Sequence, residues 1–323
     1  MKTLRDFDFQ NKRVLVRCDF NVPLSDEGNI LDDFRIRQTL PTIEYLINEG
    51  AEVILMSHLD NPGGKFVKEL VMTPIAERLA ELLQKKVVLL ENLRFNPGEE
   101  SNDDNFAKDL AQRGDIYVND AFGVCHRRHA SVVAITKYLP SCAGFLLEKE
   151  IGVLSSLMEK PKRPLVAIIG GAKVEKKAKF INKFSEIADS VLISGLIQKE
   201  AKEKNIRFDH PEKIIKPIDE AREGKDVGPK TIELFKGKIS LARTVFWNGP
   251  LGEIEKEEFT KGTKAVAQAI VDSGAFSVVG GGETVFLFGE VGIIDKFSHV
   301  STGGGAMLAF LAGEKLPGIE ALG

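Results

Sequence analysis

Short apolar runs rich in β-branched residues alternate with stretches of helical periodicity, and this alternation restricts the fold more than any other feature of the chain. Eight runs are predicted as strands, at residues 13–16, 53–56, 86–90, 116–118, 165–169, 190–193, 244–247 and 276–279. Helices are predicted between them; one has Thr73 as its N-cap and Pro74 at its first position, and another spans 262–271. The pattern predicts an α/β protein with doubly wound, mostly parallel sheets covered by helices on both faces.

Composition limits the class of protein further. The 323 residues are 43% hydrophobic, enough for two ordinary cores, and the net charge of −3 argues against a nucleic-acid or anionic-membrane partner. No apolar run has the length of a membrane-spanning helix. Three cysteines are too few and of the wrong parity for a disulfide framework, so we expect a cytoplasmic protein.

The residues that follow the predicted strands differ between the two halves. The first half presents cations and hydrogen-bonding side chains, and the second half presents three glycine clusters, at 170–171, 280–282 and 303–305. Ligands of parallel α/β sheets bind beyond the carboxyl ends of the strands. A helix followed by a proline-rich, charged segment ending at Pro164 separates the halves. We therefore expect two domains, both doubly wound, that face one cleft.

The two sets of strand-end residues suit different ligands. Glycine clusters that lead into helices, with Lys173 and Lys177 beside the first, are typical of phosphate sites. Neither the P-loop pattern nor G-x-G-x-x-G is present, which argues against a P-loop ATPase and a dehydrogenase. Arginines in the first half suit a small phosphorylated acid, because guanidinium groups bind carboxylate and phosphate in bidentate fashion.

Ten motifs in order resemble the phosphoglycerate kinase family over nearly the whole chain. They are VRCDFNVPL (16–24), DDFRI (32–36), MSHL (56–59), LLENLRFNPGEE (89–100), YVNDAFG with HRRHAS (117–131), AIIGGAKVEKK (167–177), DVGPKTIELF (226–235), WNGPLG (247–252), VVGGGET (278–284) and HVSTGGGA (299–306). The resemblance implies a glycolytic kinase that transfers a phosphoryl group between 1,3-bisphosphoglycerate and ADP, giving 3-phosphoglycerate and ATP, with Mg²⁺. It further implies a monomer whose partners are these small molecules.

The resemblance also assigns domains and residues. It places a 3-phosphoglycerate domain at 1–146 with 310–323, a hinge helix at 147–160 and a nucleotide domain at 161–309. Substrate contacts fall on Asp19, Phe20, Asn21, Arg35, His58, Leu59, Asp60, Asn61, Arg94 and Arg127. Nucleotide contacts fall on Gly171, Lys177, Gly195, Asn248, Pro250, Glu255, Gly281, Gly282, Glu283 and Thr284, with Glu283 on the magnesium side. The catalytic positions are Arg35, Lys173, Gly303, Gly304 and Gly305.

Three departures from the family pattern bear on activity. Asn61 stands where the family has a substrate-binding arginine, with Lys65 as a nearby cation, and Glu283 stands where the family has aspartate. Several dozen residues that in the family help to form the adenine pocket are missing between Gly195 and Asp226, and Leu196 replaces a glycine there. The stretch 199–225 is more than half charged and shows no convincing strand.

These departures leave two functions open at this point. One is an active kinase with a shortened nucleotide domain, and the other is a catalytically impaired homologue that binds a phosphorylated acid without efficient use of nucleotide.

Overall fold

The chain divides into two compact units in the computed structural model, which describes residues 1–323 apart from the side chain at position 176. Unit 1 comprises Met1–Gly152 with Glu314–Gly323, and unit 2 comprises Val153–Gly313. The substrate and nucleotide roles that the sequence assigns to the two halves remain predictions. No helix among the described residues is both long and apolar enough to cross a membrane.

Unit 1 is built on a five-stranded parallel sheet in the order β3-β2-β1-β4-β5. Its strands are β1 (Arg13–Arg17), β2 (Glu52–Met56), β3 (Val88–Leu89), β4 (Ile116–Asn119) and β5 (Ser141–Ala143). Its helices are α1 (Phe34–Asn48), α2 (Thr73–Leu83), α3 (Pro97–Glu100), α4 (Asp104–Ala111) and the start of α5 (Phe145–Glu159). Val14, Leu15 and Val16 are fully buried, as expected of a central strand covered on both faces.

Unit 2 is built on a six-stranded parallel sheet in the order β13-β12-β11-β6-β7-β8, with a two-stranded antiparallel β9–β10 pair beside it. The strands are β6 (Leu165–Ile169), β7 (Ser190–Ile193), β8 (Ile214–Ile215), β9 (Glu220–Ala221), β10 (Asp226–Val227), β11 (Thr244–Asn248), β12 (Phe276–Gly280) and β13 (His299–Val300). The helices of unit 2 are α6 (Val174–Ile187), α7 (Gly195–Glu203), α8 (Pro229–Ile239), α9 (Lys261–Ser273), α10 (Gly282–Glu290) and α11 (Gly304–Leu311). The last helix of the chain, α12 (Pro317–Glu320), belongs to unit 1.

Aromatic side chains fill the core of unit 2 around β11. The rings of Phe184 and Phe246 stack with centroids 4.5 Å apart, and Trp247 meets Phe288 edge-on at 5.2 Å. All five residues of β11 are buried, so its position in the sheet is fixed from both faces. The residues at its carboxyl end are consequently held by a rigid element.

The α/β class and all eight predicted strands are confirmed, whereas two local expectations are wrong and several short strands were not predicted. Met72, and not Thr73, is the N-cap of α2. The strands β5, β8, β9, β10 and β13 were missed, because each has only two or three residues and too little apolar sequence to give a periodic signal. Two of these, β8 and β9, lie in the charged stretch for which no strand was expected, and Ile214 of β8 is buried against the sheet.

Polar contacts, more than apolar packing, hold the charged stretch 199–225 against the rest of unit 2. The Asp219 carboxylate accepts hydrogen bonds from the backbone N–H of Thr231 (2.7 Å) and of Lys230 (3.0 Å) in the first turn of α8. Lys213 Nζ donates to the carbonyl of Ser185 at the end of α6 (2.8 Å). Helix ends leave backbone groups unsatisfied, so these side chains fix the shortened connection to two helices.

Candidate functional site

Four strand ends of unit 1 place the predicted substrate-binding side chains along one edge of the sheet. Asp19–Asn21 follow β1, His58–Asn61 follow β2, Arg94 follows β3 and Arg127 follows β4. Arg35 enters from the first turn of α1. Parallel strands end at the same edge of a sheet, so the fold brings these residues together although more than ninety residues separate the first from the last.

Hydrogen bonds join five of these residues into one cluster: Asp19, Asn21, Arg35, Asp60 and Arg94. The guanidinium of Arg35 donates to Asp19 (3.2 Å) and to the carbonyl of Asn21 (3.0 Å). The side-chain oxygen of Asn21 accepts from the backbone N–H of Asp60 (2.8 Å), whose carbonyl accepts from Arg94 (2.7 Å). The loops after β1, β2 and β3 are therefore fixed relative to one another.

The cluster carries more positive charge than its own carboxylates neutralise. Nη2 of Arg94 is buried and has no hydrogen-bond partner. Burial, followed by repulsion from Arg127, lowers the pKa of Arg94. Burial and the neighbouring arginines also hold the pKa of His58 well below its usual range, so His58 is a neutral hydrogen-bonding group at pH 7. An anion at this edge would relieve both the repulsion and the unsatisfied donor.

A buried polar group beneath the cluster was missed from the sequence. Arg17, at the end of β1, is fully buried and donates to the hydroxyl of Ser131 (2.7 Å), which in turn donates to Glu99 (2.6 Å). Nη2 of Arg17 lies 3.4 Å from Nδ1 of His58. An arginine inside an apolar strand was the available signal, since such a residue requires a buried partner.

Two predicted substrate residues have their side chains in the core instead. Phe20 and Leu59 belong to the hydrophobic cluster of unit 1, and their backbone N–H groups are bonded to Ser57 (2.8 Å) and Asn92 (3.2 Å) respectively. Asn61 and Lys65 are exposed in the loop after β2. The structure therefore brings the polar residues of the prediction together and assigns Phe20 and Leu59 a packing role.

Glycine turns at four strand ends form the corresponding edge of unit 2. A side chain at Gly170 would collide with the carbonyls of Gly249 and Pro250, and one at Gly281 would approach Nδ2 of Asn248 at 3.2 Å. A side chain at Gly304, in the first turn of α11, would lie 3.5 Å from Cα of Gly281. The turns after β6, β11 and β12 and the start of α11 thus converge, and glycine is required at Gly170 by the close backbone contact and at Gly281 by its positive φ of +103°.

Polar side chains lie at this edge of unit 2, close to the glycine turns. Nδ2 of Asn248 and the hydroxyl of Thr284 are buried without hydrogen-bond partners. Lys177 Nζ donates to the carbonyl of Gly170 and lies beside the turns at Gly171 and Gly249. Burial lowers the pKa of Lys177, against the attraction of Glu283 and Glu200. Donors at the amino ends of helices, a lysine and unpartnered amide and hydroxyl groups suit the phosphates of a nucleotide.

The remaining predicted residues of unit 2 differ in their placement. Lys173 precedes α6 in a left-handed conformation (φ +64°), and Gly195 begins α7 next to Ser194, whose hydroxyl approaches the carbonyl of Gly171 at 3.4 Å. Glu255 is exposed in the loop that follows Pro250. Glu283 is exposed in the first turn of α10.

A magnesium ion fits this edge only together with a phosphate ligand. Among the described residues no group of three or more His, Cys, Asp or Glu side chains could hold a metal ion. Mg²⁺ keeps several waters and is commonly held by one or two carboxylates and by substrate phosphates. The carboxylate of Glu283 agrees with that mode of binding.

Comparison with known proteins gives the family. The family model described as phosphoglycerate kinase matches residues 4–206 and 197–314. The chain belongs to the phosphoglycerate kinase family. It is 42% identical to the phosphoglycerate kinase of Coprothermobacter proteolyticus, over 100% of this chain and 98% of the relative. It is 41% identical to that of Clostridium kluyveri, over 99% and 98% respectively.

Solved structures of phosphoglycerate kinases agree with the fold. The enzyme from Pyrococcus horikoshii superposes with a TM-score of 0.88 at 33% identity, over 100% of this chain and 98% of that chain. The Coxiella burnetii enzyme gives a TM-score of 0.83 at 34% identity, over 99% and 98%. The α/β architecture is therefore that of this family.

The comparisons also bear on the shortened segment. The alignment with the Coprothermobacter relative spans 387 positions, against the 323 residues of this chain, so about 64 positions of the alignment have no residue here. The two family-model matches meet at residues 197–206, in and just after α7. The family pattern is thus interrupted within unit 2, while the strand ends on either side of the interruption are retained.

Proposed function

We propose that this chain is an active phosphoglycerate kinase that transfers a phosphoryl group between 1,3-bisphosphoglycerate and ADP, forming 3-phosphoglycerate and ATP. The observation that carries the proposal is the buried, unpartnered guanidinium nitrogen of Arg94 among like charges. Such an arrangement costs free energy in the unliganded protein, and groups of this kind cluster at binding sites, where a bound anion offsets the cost. Nothing in the comparisons supports the non-catalytic alternative.

In this proposal unit 1 binds the acid. Arg94 and Arg127 bind the phosphate of 3-phosphoglycerate, while Arg35, oriented by Asp19, lies at the carboxylate that accepts the phosphoryl group. His58 is neutral, so it donates or accepts a hydrogen bond at the ligand without adding charge. Asn21 and Asp60 hold the loops that carry these groups. Asn61 carries no charge at a position where the family pattern has an arginine.

Unit 2 binds the nucleotide. The glycine turns allow phosphates to approach backbone N–H groups, and Lys177, Asn248 and Thr284 donate to them. Glu283 and the nucleotide phosphates would hold Mg²⁺, whose chemistry there would be neutralisation of charge on the transferring group. Pro250, Glu255, Gly195 and Gly171 are assigned to the nucleoside on the family pattern alone.

The reaction requires alignment and charge stabilisation more than proton transfer. The acceptor carboxylate is ionised at neutral pH, so no general base is required. Lys173 and the backbone N–H groups of Gly303–Gly305 are assigned to the equatorial oxygens of the phosphoryl group, together with Arg35. Since the two substrates are assigned to different units, transfer requires them to meet with water excluded, and we assign that motion to a hinge in α5.

The test is consumption of ATP by the purified protein with and without 3-phosphoglycerate, with Lys173→Ala as the inactive variant. We expect turnover that requires the acid and falls by at least a hundredfold in the variant, since an oxyanion-type donor is worth that much. Lys296→Ala, an exposed position in unit 2, is the matched control and should retain full activity. Absence of acid-dependent turnover at high MgATP would contradict the proposal and favour a binder of phosphorylated acids.

A further inference from the structure

Helix α7 places a carboxylate on backbone groups at the start of α6. The side chain of Glu200 accepts hydrogen bonds from the backbone N–H of Val174 (2.7 Å) and from that of Lys173 (3.3 Å). A second link, the ion pair between Lys204 and Glu175 at 2.9 Å, holds the same two helices together. The amino-terminal amides of α6 therefore already have an anionic partner within the chain.

These amides belong to the same edge of unit 2 as the phosphate-binding residues proposed above. Lys173 and Val174 follow the Gly170–Gly171 turn after one intervening residue, and Lys177 is one helical turn further along α6. Glu200 also attracts Lys177, as does Glu283. One internal carboxylate thus engages both the amides and the charge that would favour an incoming anion.

Glu200 lies where the family pattern is interrupted. Residues 197–206 are the overlap of the two matched segments, and Glu200 is within that overlap, on a helix that begins directly after β7. Ser194 caps this helix by accepting a hydrogen bond from Ile197 N–H (3.3 Å). The cap and the Lys204–Glu175 pair hold α7 against α6, so the carboxylate is directed by packing and is not a freely moving surface charge.

We propose that Glu200 is an affinity-determining residue of the nucleotide site, a built-in competitor that occupies the amides of Lys173 and Val174 and must withdraw before nucleotide phosphates can use them. The inference rests on the proposed function only in taking a nucleotide as the ligand. Its physical basis is that two anions cannot share the same N–H donors and repel each other strongly at such short range.

Removing the charge is expected to tighten phosphate binding. Two like charges about 5 Å apart repel by an amount that corresponds to roughly fourfold in affinity at the dielectric constant of water and to roughly two-hundredfold at the effective value typical of a protein surface. We take about tenfold, toward the lower end of this range, because the edge of the sheet is open to solvent. Glu200→Gln retains one oxygen that can accept from Val174, so the α6–α7 contact survives. Glu203→Gln, an exposed position one turn further along α7, removes the same charge and provides the matched control.

The experiment is calorimetric titration of the full-length protein and both variants with ADP and, separately, with inorganic pyrophosphate. We expect Glu200→Gln to bind both ligands about tenfold more tightly, and Glu203→Gln to match the unmodified protein. A lower KM for ATP with no increase in kcat should accompany the tighter binding. A purely supporting role for Glu200 predicts the reverse, weaker binding of both ligands, and that result, like unchanged affinity, would overturn the inference.

Two further observations keep this test separate from that of the proposed function. Acid-dependent turnover with equal affinities in all three proteins would support the kinase proposal and reject the role of Glu200 as a competitor. Tighter binding in Glu200→Gln without turnover would support the role of Glu200 and contradict the kinase proposal. If a variant fails to fold, the NMR spectrum of the unmodified protein titrated with pyrophosphate tests the inference instead. Pyrophosphate must then change the amide resonance of Val174, and an unchanged resonance at saturation would reject the inference.

Discussion

At the scale of single residues, Arg94 shows how binding and stability oppose each other. Its guanidinium is nearly fully buried, and its partners are a carbonyl of Asp60 (2.7 Å) and Glu100 at 3.3 Å, while Nη2 has none. Burial and repulsion from Arg127 both disfavour its charge. On the proposed function, the free energy lost in the unliganded protein would be recovered when an anion binds.

We expect Arg94→Gln to raise the KM for 3-phosphoglycerate by roughly ten- to a hundredfold, because a charge-assisted hydrogen bond contributes about 1.5–3 kcal/mol. The melting temperature should stay unchanged or rise, since a repulsive buried charge is removed. Steady-state kinetics and thermal unfolding measure the two quantities on the same sample. A fall in melting temperature with an unchanged KM would show that Arg94 is structural; exposed Arg113→Gln is the control.

At Asn61 a positive charge can be added, as a complement to removing one at Arg94. It is exposed on the loop after β2, and Lys65 is the next cation on that loop. Asn61→Arg should tighten 3-phosphoglycerate about tenfold by restoring a charge-assisted contact. Equilibrium binding of the acid to the single and double variants with Lys65→Ala measures how much Lys65 now compensates. Equal affinity of Asn61→Arg and the unmodified protein would contradict the prediction.

At the scale of elements, the start of α5 is held by a buried carboxylate. Asp120, directly after β4, accepts hydrogen bonds from the backbone N–H of Leu146 (2.9 Å) and of Leu147 (3.3 Å). Gly144 packs so closely on this carboxylate that a side chain there would collide with it. Burial raises the pKa of Asp120 to about 7, against the hydrogen bonds that lower it.

This helix start should make stability depend on pH. Between about pH 4 and pH 7 the folded protein holds a proton on Asp120 that the unfolded chain releases, so the free energy of unfolding falls as pH rises through this window. Asp120→Asn removes the buried charge while keeping an acceptor for α5. Denaturant unfolding at pH 5 and pH 8 should show the variant gaining on the order of 2–4 kcal/mol at the higher pH. Exposed Asp26→Asn should show no such gain.

The sequence predicted the long elements and the polar strand ends, and the reason is the same for both. A strand of four or five buried residues, such as β6 or β11, imposes a continuous apolar run, and a parallel sheet then fixes which residues meet at its edge. The two-residue strands β8 and β9 require no such run. Contacts of Lys213 with the end of α6 and of Asp219 with the start of α8 hold them in place instead. Glu200 and Glu99 were missed for a related reason, since their partners are distant in sequence.

At the scale of the whole molecule, the shortened segment should reduce discrimination between bases. In the proposed function the retained strand ends of unit 2 bind phosphates, which all nucleoside triphosphates share, whereas the break in the family pattern lies at residues 197–206. We expect kcat/KM for ATP and GTP to differ by less than about tenfold, the discrimination that one small apolar contact provides. The KM for 3-phosphoglycerate should be the same with either nucleotide. A preference above a hundredfold would show that a selective base pocket persists.

The order of the two units along the chain also has a consequence for synthesis. Unit 2 is one continuous stretch, but unit 1 includes Glu314–Gly323, where Leu316 and Leu322 are buried and Gly318 N–H donates to the carbonyl of Cys125 (2.9 Å). A ribosome adding about 5–20 residues per second needs roughly ten to thirty seconds to translate the intervening stretch. Most of unit 1 is therefore made well before its last segment, and the surface around Cys125 stays exposed until Glu314–Gly323 has been translated.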